Sequence, residues 1–247
     1  MKNYLVLAIC SGKGGVGKST IAFSLAKLLS RANFKIGLVD VDIYGPSCHL
    51  LFQDIGALKP ENNGPLVTPP SIENIRFMSA AFLAPGGAFI RAPKATAIAK
   101  SFFESADWGD IDCLIVDFPP GTGDVALSLF QEVYFDSALL ITTPHTLSVE
   151  DTAKSAGLIL KSGIPIVGII ENMSYLKVQD KILYPMGSGG GNELGQLLNL
   201  PLLASIAIED QSKGSCVESI IENLEPVTEA VKTLIDEKRA GKSLCSL

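Results

Sequence analysis

The chain has 247 residues, a length that fits one α/β domain. Apolar residues make up 47% and charged residues 19%, which excludes a disordered chain and predicts much hidden surface, in a sheet buried on both faces or in an interface. The net charge is −6 and the chain has no basic tract, so we expect no sequence-independent binding to nucleic acid. Because no apolar run approaches the ~18 residues that span a bilayer, we expect no stable membrane association. Five widely spaced cysteines without a C-x-x-C pair indicate a reducing compartment, which for this chain predicts the cytoplasm.

Short apolar runs alternate along the chain with segments of helical periodicity. The predicted strands are residues 4–10, 35–40, 75–79, 112–117, 137–142, 166–170 and 202–206. The predicted helices are residues 19–32, 93–108, 125–134, 148–163, 192–198 and a last one around 227–235. This alternation predicts one doubly wound α/β domain over residues 1–247, with a single, mostly parallel sheet and helices on both faces. Apart from the strand at 75–79, segments 43–92 and 172–191 are predicted to be long loops that carry ligand or partner function.

A glycine-rich segment follows the first predicted strand and opens the first predicted helix. Residues 12–19 read G-K-G-G-V-G-K-S and match the phosphate-loop pattern G-x-x-x-x-G-K-S/T. Its glycines let backbone N–H groups converge on phosphate oxygens, and the helix N-terminus adds positive potential at the same point. The predicted nucleotide-binding residues are Gly12, Gly14, Gly15, Val16, Gly17, Lys18, Ser19 and Thr20.

Three residues of this segment have predicted individual roles in binding ATP and Mg²⁺. Lys18 is expected to reach the β- and γ-phosphates, and Ser19 is expected to be a ligand of Mg²⁺. Thr20 is expected to contact the α-phosphate. The alternative interpretation is a glycine-rich turn with a chance lysine, which the full motif in its required context disfavours.

Three aspartates lie at or just after predicted strand ends, where open α/β sheets bind their ligands. Asp117 fits a carboxylate that holds the water shell of Mg²⁺, with Asp40 behind it. Asp42 fits a group that orients the attacking water or accepts its proton. For each aspartate, the alternative is a residue that caps a turn or a helix. The segment 118–124, F-P-P-G-T-G-D, is typical of a nucleotide switch loop, or else of a rigid connecting turn.

An additional lysine, Lys13, makes the loop read K-G-G-x-G-K-S. This string resembles the deviant phosphate loop of the MinD/ParA/nitrogenase-iron-protein superfamily. The resemblance implies that Lys13 crosses to the partner subunit's nucleotide in a face-to-face homodimer. A second cation beside the γ-phosphate would stabilise the charge that develops during hydrolysis, as an arginine finger does.

Three longer strings resemble the Mrp/ApbC family. They are D-V-D-I-Y-G-P-S at 40–47, V-D-F-P-P-G-T-G-D at 116–124 and E-N-M-S at 171–174, followed by a glycine cluster at 187–191. That family consists of cytosolic, homodimeric ATPases implicated in carrying iron–sulfur clusters to target proteins. The resemblance therefore implies an ATPase with an iron–sulfur apo-protein or assembly factor as partner. It also implies that Asn172 hydrogen-bonds adenine, the alternative being that Asn172 caps a turn.

One departure from the family pattern concerns the cluster itself. Members that carry clusters usually place C-x-x-C shortly after E-N-M-S, whereas residues 176–186 contain no cysteine and no histidine. Because thiolates hold iron–sulfur clusters, we do not expect a 4Fe–4S cluster at the family's position. Paired Cys48 or Cys216 residues from two subunits remain an alternative. Arg91, where the family often shows W-R-G-P, has no assigned role.

These observations favour a Mg²⁺-dependent, dimeric ATPase of the iron–sulfur carrier type. A second hypothesis is a nucleotide-gated protein-binding module that has lost cluster binding, and the missing cysteines favour it. A third is a MinD/ParA-type positioning ATPase, which would need a basic amphipathic tail or a basic DNA face. The tail at 238–244 has three cations but little apolar character, so this hypothesis ranks last.

Overall fold

The computed structural model describes residues 3–52, 59–82, 92–208 and 216–242. Arg91 and Cys245 lie outside these ranges, as does part of the predicted 43–92 loop. The backbone of Cys216 is described but its side chain is not, so the predicted pairing of two Cys216 thiols lies outside the described structure.

Strands and helices alternate along most of the chain. The strands of the described residues are β1 (Leu5–Ser11), β2 (Ile36–Asp40), β3 (Glu61–Asn63), β4 (Leu66–Thr68), β5 (Ser71–Ile72), β6 (Ile75–Ser79), β7 (Cys113–Asp117), β8 (Ser137–Thr142), β9 (Ile166–Val178), β10 (Lys181–Leu183) and β11 (Leu202–Ala207). The α-helices of the same residues are α1 (Lys18–Arg31), α2 (Ala92–Glu104), α3 (Asp124–Glu132), α4 (Thr146–Lys161), α5 (Gly190–Leu198), α6 (Cys216–Asn223) and α7 (Glu225–Arg239). None of the described helices is long and apolar enough to cross a membrane.

The main sheet is mostly parallel, as predicted. Its strand order is β10-β9-β8-β1-β7-β2-β6-β5, and β11 pairs with β9 outside this path. The pairs β1/β7, β1/β8, β2/β7, β2/β6, β8/β9 and β9/β11 are parallel, whereas the short β5 and β10 pair antiparallel. Strands β3 and β4 form a separate two-stranded hairpin.

Apolar side chains cover both faces of the main sheet, because successive residues of a strand point to opposite sides. In β1, Leu5, Leu7 and Ile9 belong to one hydrophobic cluster, which α1, α6 and α7 cover. Val6 and Ala8 belong to a second cluster, which α2, α3, α4 and α5 cover. The prediction of helices on both faces is therefore confirmed, and the double burial explains why the strands read as continuous apolar runs.

The prediction of two long loops is wrong in several places. Within 43–92, the described residues form a 3₁₀ turn at Cys48–Leu51 and the β3–β4 hairpin besides the expected strand β6. Within 172–191, strand β9 continues to Val178 because β11 pairs with it as far as Tyr175 and β10 pairs with its end. Helix α6 was also unexpected; its Val217, Ile220 and Ile221 pack into the same cluster as α1.

The carboxyl ends of the central strands meet at one edge of the sheet. Asp40 at the end of β2 lies opposite Asp117 at the end of β7, and Asp117 lies opposite Ile9 in β1. The glycine-rich segment that follows β1 therefore begins beside both carboxylates. This edge is where an open α/β sheet binds its ligands.

Candidate nucleotide and metal site

The glycine-rich segment between β1 and α1 needs glycine at particular positions. Gly15 and Gly17 have φ values of 78° and 83°, in the left-handed region that side chains disfavour. A Cβ on Gly17 would lie 2.2 Å from Asn172 Nδ2, and a Cβ on Gly12 would lie 2.1 Å from the backbone of Asp151. The segment is thus pressed between β9 and α4, which leaves its other side open.

A cavity of about 270 Å³ lies over the open side of this segment. Every predicted nucleotide-binding residue from Gly14 to Thr20 lines it, together with Lys13, Asp42, Gly45, Ser47 and Pro120. Among the described residues, no side chain caps the N-terminus of α1, so its first N–H groups remain available to an anion. Gly12 lies deeper; its N–H donates to Thr152 Oγ1 (3.3 Å).

Lys18 and Asp117 form an ion pair at the floor of the site. The Lys18 Nζ atom donates to Asp117 Oδ1 at 2.5 Å, and the two side chains are 7% and 0% exposed. Burial disfavours the charge of Lys18, but the charge and the hydrogen bond of Asp117 outweigh burial and raise the pKa of the ammonium. The lysine therefore stays charged with Asp117 as its anion, in the position from which a phosphate could take it over.

Asp40 organises the backbone that follows β2. Its carboxylate accepts N–H bonds from Asp42 (3.1 Å), Ser47 (2.9 Å) and Cys48 (3.1 Å). Burial, and next the charge of Asp117, raise the pKa of Asp40 to about 7, although the backbone donors of Cys48 and Ser47 oppose this shift. Asp40 thus fixes the course of segment 42–48 around the cavity.

Asp42 lines the cavity from that segment. Its Oδ1 accepts the N–H of Gly45 at 3.1 Å, and its side chain is half-buried. Nearby, the Ser47 hydroxyl donates to Ser19 Oγ at 2.9 Å, which ties the segment to the start of α1. The predicted water-positioning group and the predicted Mg²⁺ ligand therefore face the same cavity.

Lys13 lies at the rim of the cavity and has no contact with Asp117 or Asp40 among the contacts of the described residues. Its Nζ atom is 3.7 Å from Asp151 Oδ2 on α4, and the two side chains are 39% and 30% exposed. Asp151 also accepts a closer bond, 2.8 Å, from Lys154. Lys13 is thus loosely held and can leave Asp151 at little cost.

Asn172 lies under the glycine-rich segment. Its side chain is buried, and Nδ2 donates to the carbonyl of Val16 at 2.8 Å. The next residue, Met173, has a φ of 55° and lies within β9 where its pairing with β11 shifts register. The amide nitrogen of Asn172 is therefore used in a hydrogen bond to the glycine-rich segment. The contact with adenine stays a prediction, and it would have to be made by Oδ1.

Glu171 and Cys48 belong to the site region and were not predicted to do so. The buried Glu171 carboxylate accepts the N–H of Gly191 at 2.5 Å and the hydroxyl of Ser174, and so connects the E-N-M-S segment of β9 to α5. Cys48 is fully buried, and its Sγ donates to Asp117 Oδ2 at 3.2 Å. Burial, and next the charges of Asp117 and Asp40, raise the pKa of the thiol well above its ordinary value.

The segment after β7 closes the cavity from another side. Gly121, with a φ of 75°, donates its N–H to the carbonyl of Ser11 at 2.8 Å. Phe118 is buried and stacks on Phe130 of α3, with ring centroids 4.5 Å apart. A second cleft of about 450 Å³ lies between this segment and Asp42–Gly45. The predicted switch segment is therefore held at Phe118 and Gly121, while Pro119, Pro120, Gly123 and Asp124 line the cleft.

The donor set at the floor suits a divalent cation. Ser19 Oγ and the carboxylates of Asp40 and Asp117 are the hard oxygen donors that Mg²⁺ prefers. Lys18 supplies one positive charge beside these two buried carboxylates. Donor atoms of Asp40, Cys48 and Asp117 all lie within 4.8 Å of one another.

The residues that follow the E-N-M-S string form the β9–β10 hairpin. This hairpin has no cysteine, and it exposes apolar side chains, namely Val178, Ile182, Leu183 and Tyr184. Cys10, Cys48 and Cys113 are free thiols, and all three are buried inside the fold. The described part of the chain therefore offers no thiol at this surface, and the Cys48 thiol is buried against Asp117, which disfavours the alternative of a pair of Cys48 residues.

A phosphate loop that follows a central parallel strand, with two carboxylates at adjacent strand ends, defines a P-loop nucleoside triphosphatase fold. The family model for the ParA-type NUBPL iron-transfer P-loop NTPase matches residues 2–237. The chain therefore belongs to the NUBPL iron-transfer P-loop NTPase family.

A known protein agrees with this membership, and solved structures share the fold. An iron–sulfur cluster carrier protein from Deinococcus radiodurans is 40% identical over 209 residues, which are 83% of this chain and 59% of that protein. A nucleotide-binding protein from Archaeoglobus fulgidus, solved with ADP, superposes with a TM-score of 0.73 at 27% identity, covering 95% of this chain and 86% of that chain. The Pyrococcus furiosus cell division ATPase MinD shares the fold, with a TM-score of 0.62 at 18% identity over 93% and 99% of the two chains.

Proposed function

We propose that this chain binds ATP with Mg²⁺ in the cavity over the phosphate loop and hydrolyses the ATP. The observation that carries the proposal is the Lys18–Asp117 ion pair, which connects the phosphate loop to the carboxylate edge of the sheet. A nucleotide phosphate would replace Asp117 as the anion of Lys18, and Asp117 would then be released to a cation. Binding of nucleotide and binding of metal are therefore coupled through one side chain.

Residues around the cavity supply the remaining functions. Loop N–H groups and Lys18 would bind the β- and γ-phosphates, and Thr20 would contact the α-phosphate. Ser19, Asp117 and Asp40 would hold Mg²⁺. When bound, this ion neutralises part of the phosphate charge. Asp42, fixed through Gly45, would orient the attacking water and accept its proton. Asn172 would accept a hydrogen bond from adenine through Oδ1.

We further propose that the chain acts as a cytoplasmic homodimer in iron–sulfur cluster assembly, with an iron–sulfur apo-protein or assembly factor as partner. The family membership and the similarity to the Deinococcus iron–sulfur cluster carrier protein support the proposed role in cluster assembly. The free thiols of Cys10, Cys48 and Cys113 suit a reducing compartment. Lys13, loosely held at the cavity rim, would cross to the partner's nucleotide.

Lys18→Ala tests nucleotide binding. By calorimetry with ATP and Mg²⁺, we expect ATP affinity to fall by about tenfold to a hundredfold, the range of one charge-assisted hydrogen bond. The control is Lys27→Ala on the same helix, because Lys27 pairs with Glu218 away from the cavity. Unchanged ATP affinity in a folded Lys18→Ala variant would refute the proposal.

A second candidate function is a nucleotide-gated protein-binding module that carries no cluster. The observation that favours it is the β9–β10 hairpin, which presents apolar side chains where carriers place thiols. Anaerobic reconstitution with iron and sulfide separates the two candidates. A stoichiometric cluster that is lost in Cys216→Ser supports carriage, whereas no cluster together with intact ATP binding supports the module.

A further inference from the structure

The E-N-M-S string at residues 171–174 forms a bulge inside β9. Strand β11 pairs with Glu171 and again with Tyr175, but it uses only residues 205–207 to do so. Strand β9 is therefore the longer of the two at this point, and Met173 adopts a φ of 55° within the excess length. A bulge of this kind changes the direction in which the neighbouring side chains point.

Glu171 closes this bulge from the α5 side of the sheet. Its buried carboxylate accepts the Ser174 hydroxyl with one oxygen and the Gly191 N–H, in the first turn of α5, with the other at 2.5 Å. A Cβ on Gly191 would lie 2.9 Å from the Cβ of Glu171, so helix and strand are in direct contact here. One side chain thus links the two ends of the string and fixes them to a helix.

Asn172 points to the opposite face of the sheet, because successive residues of a strand alternate. Its side chain is buried under the glycine-rich segment, and Nδ2 donates to the carbonyl of Val16 at 2.8 Å. A carbonyl oxygen only accepts hydrogen bonds, so the amide nitrogen faces Val16 and the amide oxygen faces away from it. Oδ1 is therefore fixed as an acceptor, which suits a ligand group that donates a hydrogen bond.

We propose that Glu171 is a positioning residue for base recognition, which makes the nucleotide site prefer purines with an amino group at position 6. By closing the bulge, Glu171 holds Asn172 against the glycine-rich segment with Oδ1 directed at that amino group. A base without the amino group leaves Oδ1 unpaired and binds more weakly. The inference rests on the proposed nucleotide function, because it requires a bound nucleotide whose base lies at Asn172.

A ratio of two affinities tests the role of Glu171. Calorimetry with Mg²⁺ compares ADP with purine riboside 5′-diphosphate, which carries hydrogen in place of the 6-amino group and is otherwise identical. We expect the unaltered chain to bind ADP about tenfold more tightly, and we expect this preference to fall to about twofold or less in Glu171→Ala. A general loss of stability or of phosphate binding affects both nucleotides equally, so it does not change the ratio.

Two further variants separate positioning from a purely structural role. Glu171→Gln should keep the preference, since its amide oxygen can accept the Gly191 N–H while its amide nitrogen donates to the Ser174 hydroxyl. Asp136→Ala is the matched control, because Asp136 is a buried carboxylate that accepts the N–H of Val6 at 2.9 Å, near the amino end of β1. This variant should lose stability and retain the preference for ADP.

Failure of this inference differs from failure of the proposed function. If the unaltered chain binds both nucleotides equally, or if Glu171→Ala keeps the full preference, the role of Glu171 is wrong and nucleotide binding stands. If Glu171→Ala does not fold, Ser174→Ala opens the same bulge and keeps the Gly191 contact; an unchanged preference in that variant would overturn the inference. If the unaltered chain binds no ADP, the proposed function and this inference are both wrong.

Discussion

The ammonium of Lys18 and the carboxylate of Asp117, 99 residues apart in the chain, form a buried ion pair with an Nζ–Oδ1 distance of 2.5 Å. The pair joins the first residue of α1 to the last residue of β7. Neither charge has solvent to neutralise it, so each depends on the other until a ligand intervenes. Under the proposed function, the two residues that hold the site together would also respond to its ligand.

Asp117→Asn should destabilise the nucleotide-free protein. Removing one partner of a buried pair usually costs about 3–5 kcal/mol, but Asp40 remains near Lys18 as a counter-charge, so we expect about 2 kcal/mol. Urea denaturation without nucleotide measures the change. The matched control is Asp110→Asn, which breaks the exposed ion pair with Lys35 and should leave the unfolding midpoint unchanged. Equal midpoints for both variants would contradict this prediction.

We expect the nucleotide-free protein to lose stability as the pH rises from about 4 to about 7, because Asp40 then loses its proton. The pKa of Asp40 in the folded state is about 7, above the value of about 4 in an unfolded chain. Between these two values the folded state holds a proton that the unfolded state has released, so the stabilisation is complete below about pH 4 and lost above about pH 7.

The measurement is the free energy of unfolding at a series of pH values with a chelator present. We expect a fall of a few kcal/mol over this range, and a flatter profile in Asp40→Asn. The pH slope, rather than the absolute stability, is the readout, because Asp40→Asn also alters the N–H bonds of Ser47 and Cys48. A profile with the same slope in both proteins would show that Asp40 does not titrate here.

Sequence patterns were sufficient for the sheet and for most of the cavity. The buried strands read as continuous apolar runs, the phosphate loop marks the end of β1, and Asp40 and Asp117 follow from the rule that ligands bind at the carboxyl ends of parallel strands. The presence of Asp42 in the cavity wall follows from the same rule, whereas its bond to Gly45 was not predicted. That one domain comprises the whole chain stays a prediction.

Other contacts depend on tertiary structure and leave no mark in a local pattern. Cys48 contacts Asp117, which lies 69 residues further along the chain, and no periodicity tells whether a residue after a proline-containing turn points inwards. The extension of β9 depends on its pairing with β10 and β11, since the segment carries too few apolar residues to predict a strand by itself. The Glu171 carboxylate in β9 accepts the N–H of Gly191 in α5, and a contact between two separate elements cannot be predicted from a local pattern.

Gly17→Ala should disrupt the phosphate loop. Gly17 has a φ of 83°, and the new Cβ would lie 2.2 Å from Asn172 Nδ2, where it displaces the bond to Val16. We expect a loss of about 1–3 kcal/mol in unfolding free energy together with weaker ATP binding.

The control is the same substitution in helix α4. A Cβ on Gly157 meets nothing within 4 Å, so Gly157→Ala should stabilise the protein by about 0.5–1 kcal/mol through helix propensity. Thermal melts and calorimetry with ATP measure both variants. If Gly17→Ala matched Gly157→Ala in both measurements, the loop would tolerate a side chain and the role given to Gly17 would be wrong.

Lys13→Ala tests the proposed homodimer separately from nucleotide binding. Lys13 is held by Asp151 at 3.7 Å and makes no contact with the Lys18–Asp117 pair, so we expect ADP affinity to stay within about twofold. ATP-dependent dimerisation should be lost, and hydrolysis should fall by about a thousandfold, the effect of removing an arginine-finger-type cation. Light scattering with ATP gives the mass, and phosphate release gives the rate.

Asp151→Asn is the complementary variant, because it keeps Lys13 and removes its anion within the same chain. Lys13 would then be free to cross to a partner, and we expect dimerisation with ATP to occur at equal or lower protein concentration than in the unaltered chain. Opposite shifts in the two variants would support a cation that moves between subunits. If Lys13→Ala dimerised with ATP at the same protein concentration as the unaltered chain, the interface would form without this lysine. The proposed crossing of Lys13 to the partner would then be wrong, whereas the proposed ATP binding would be unaffected.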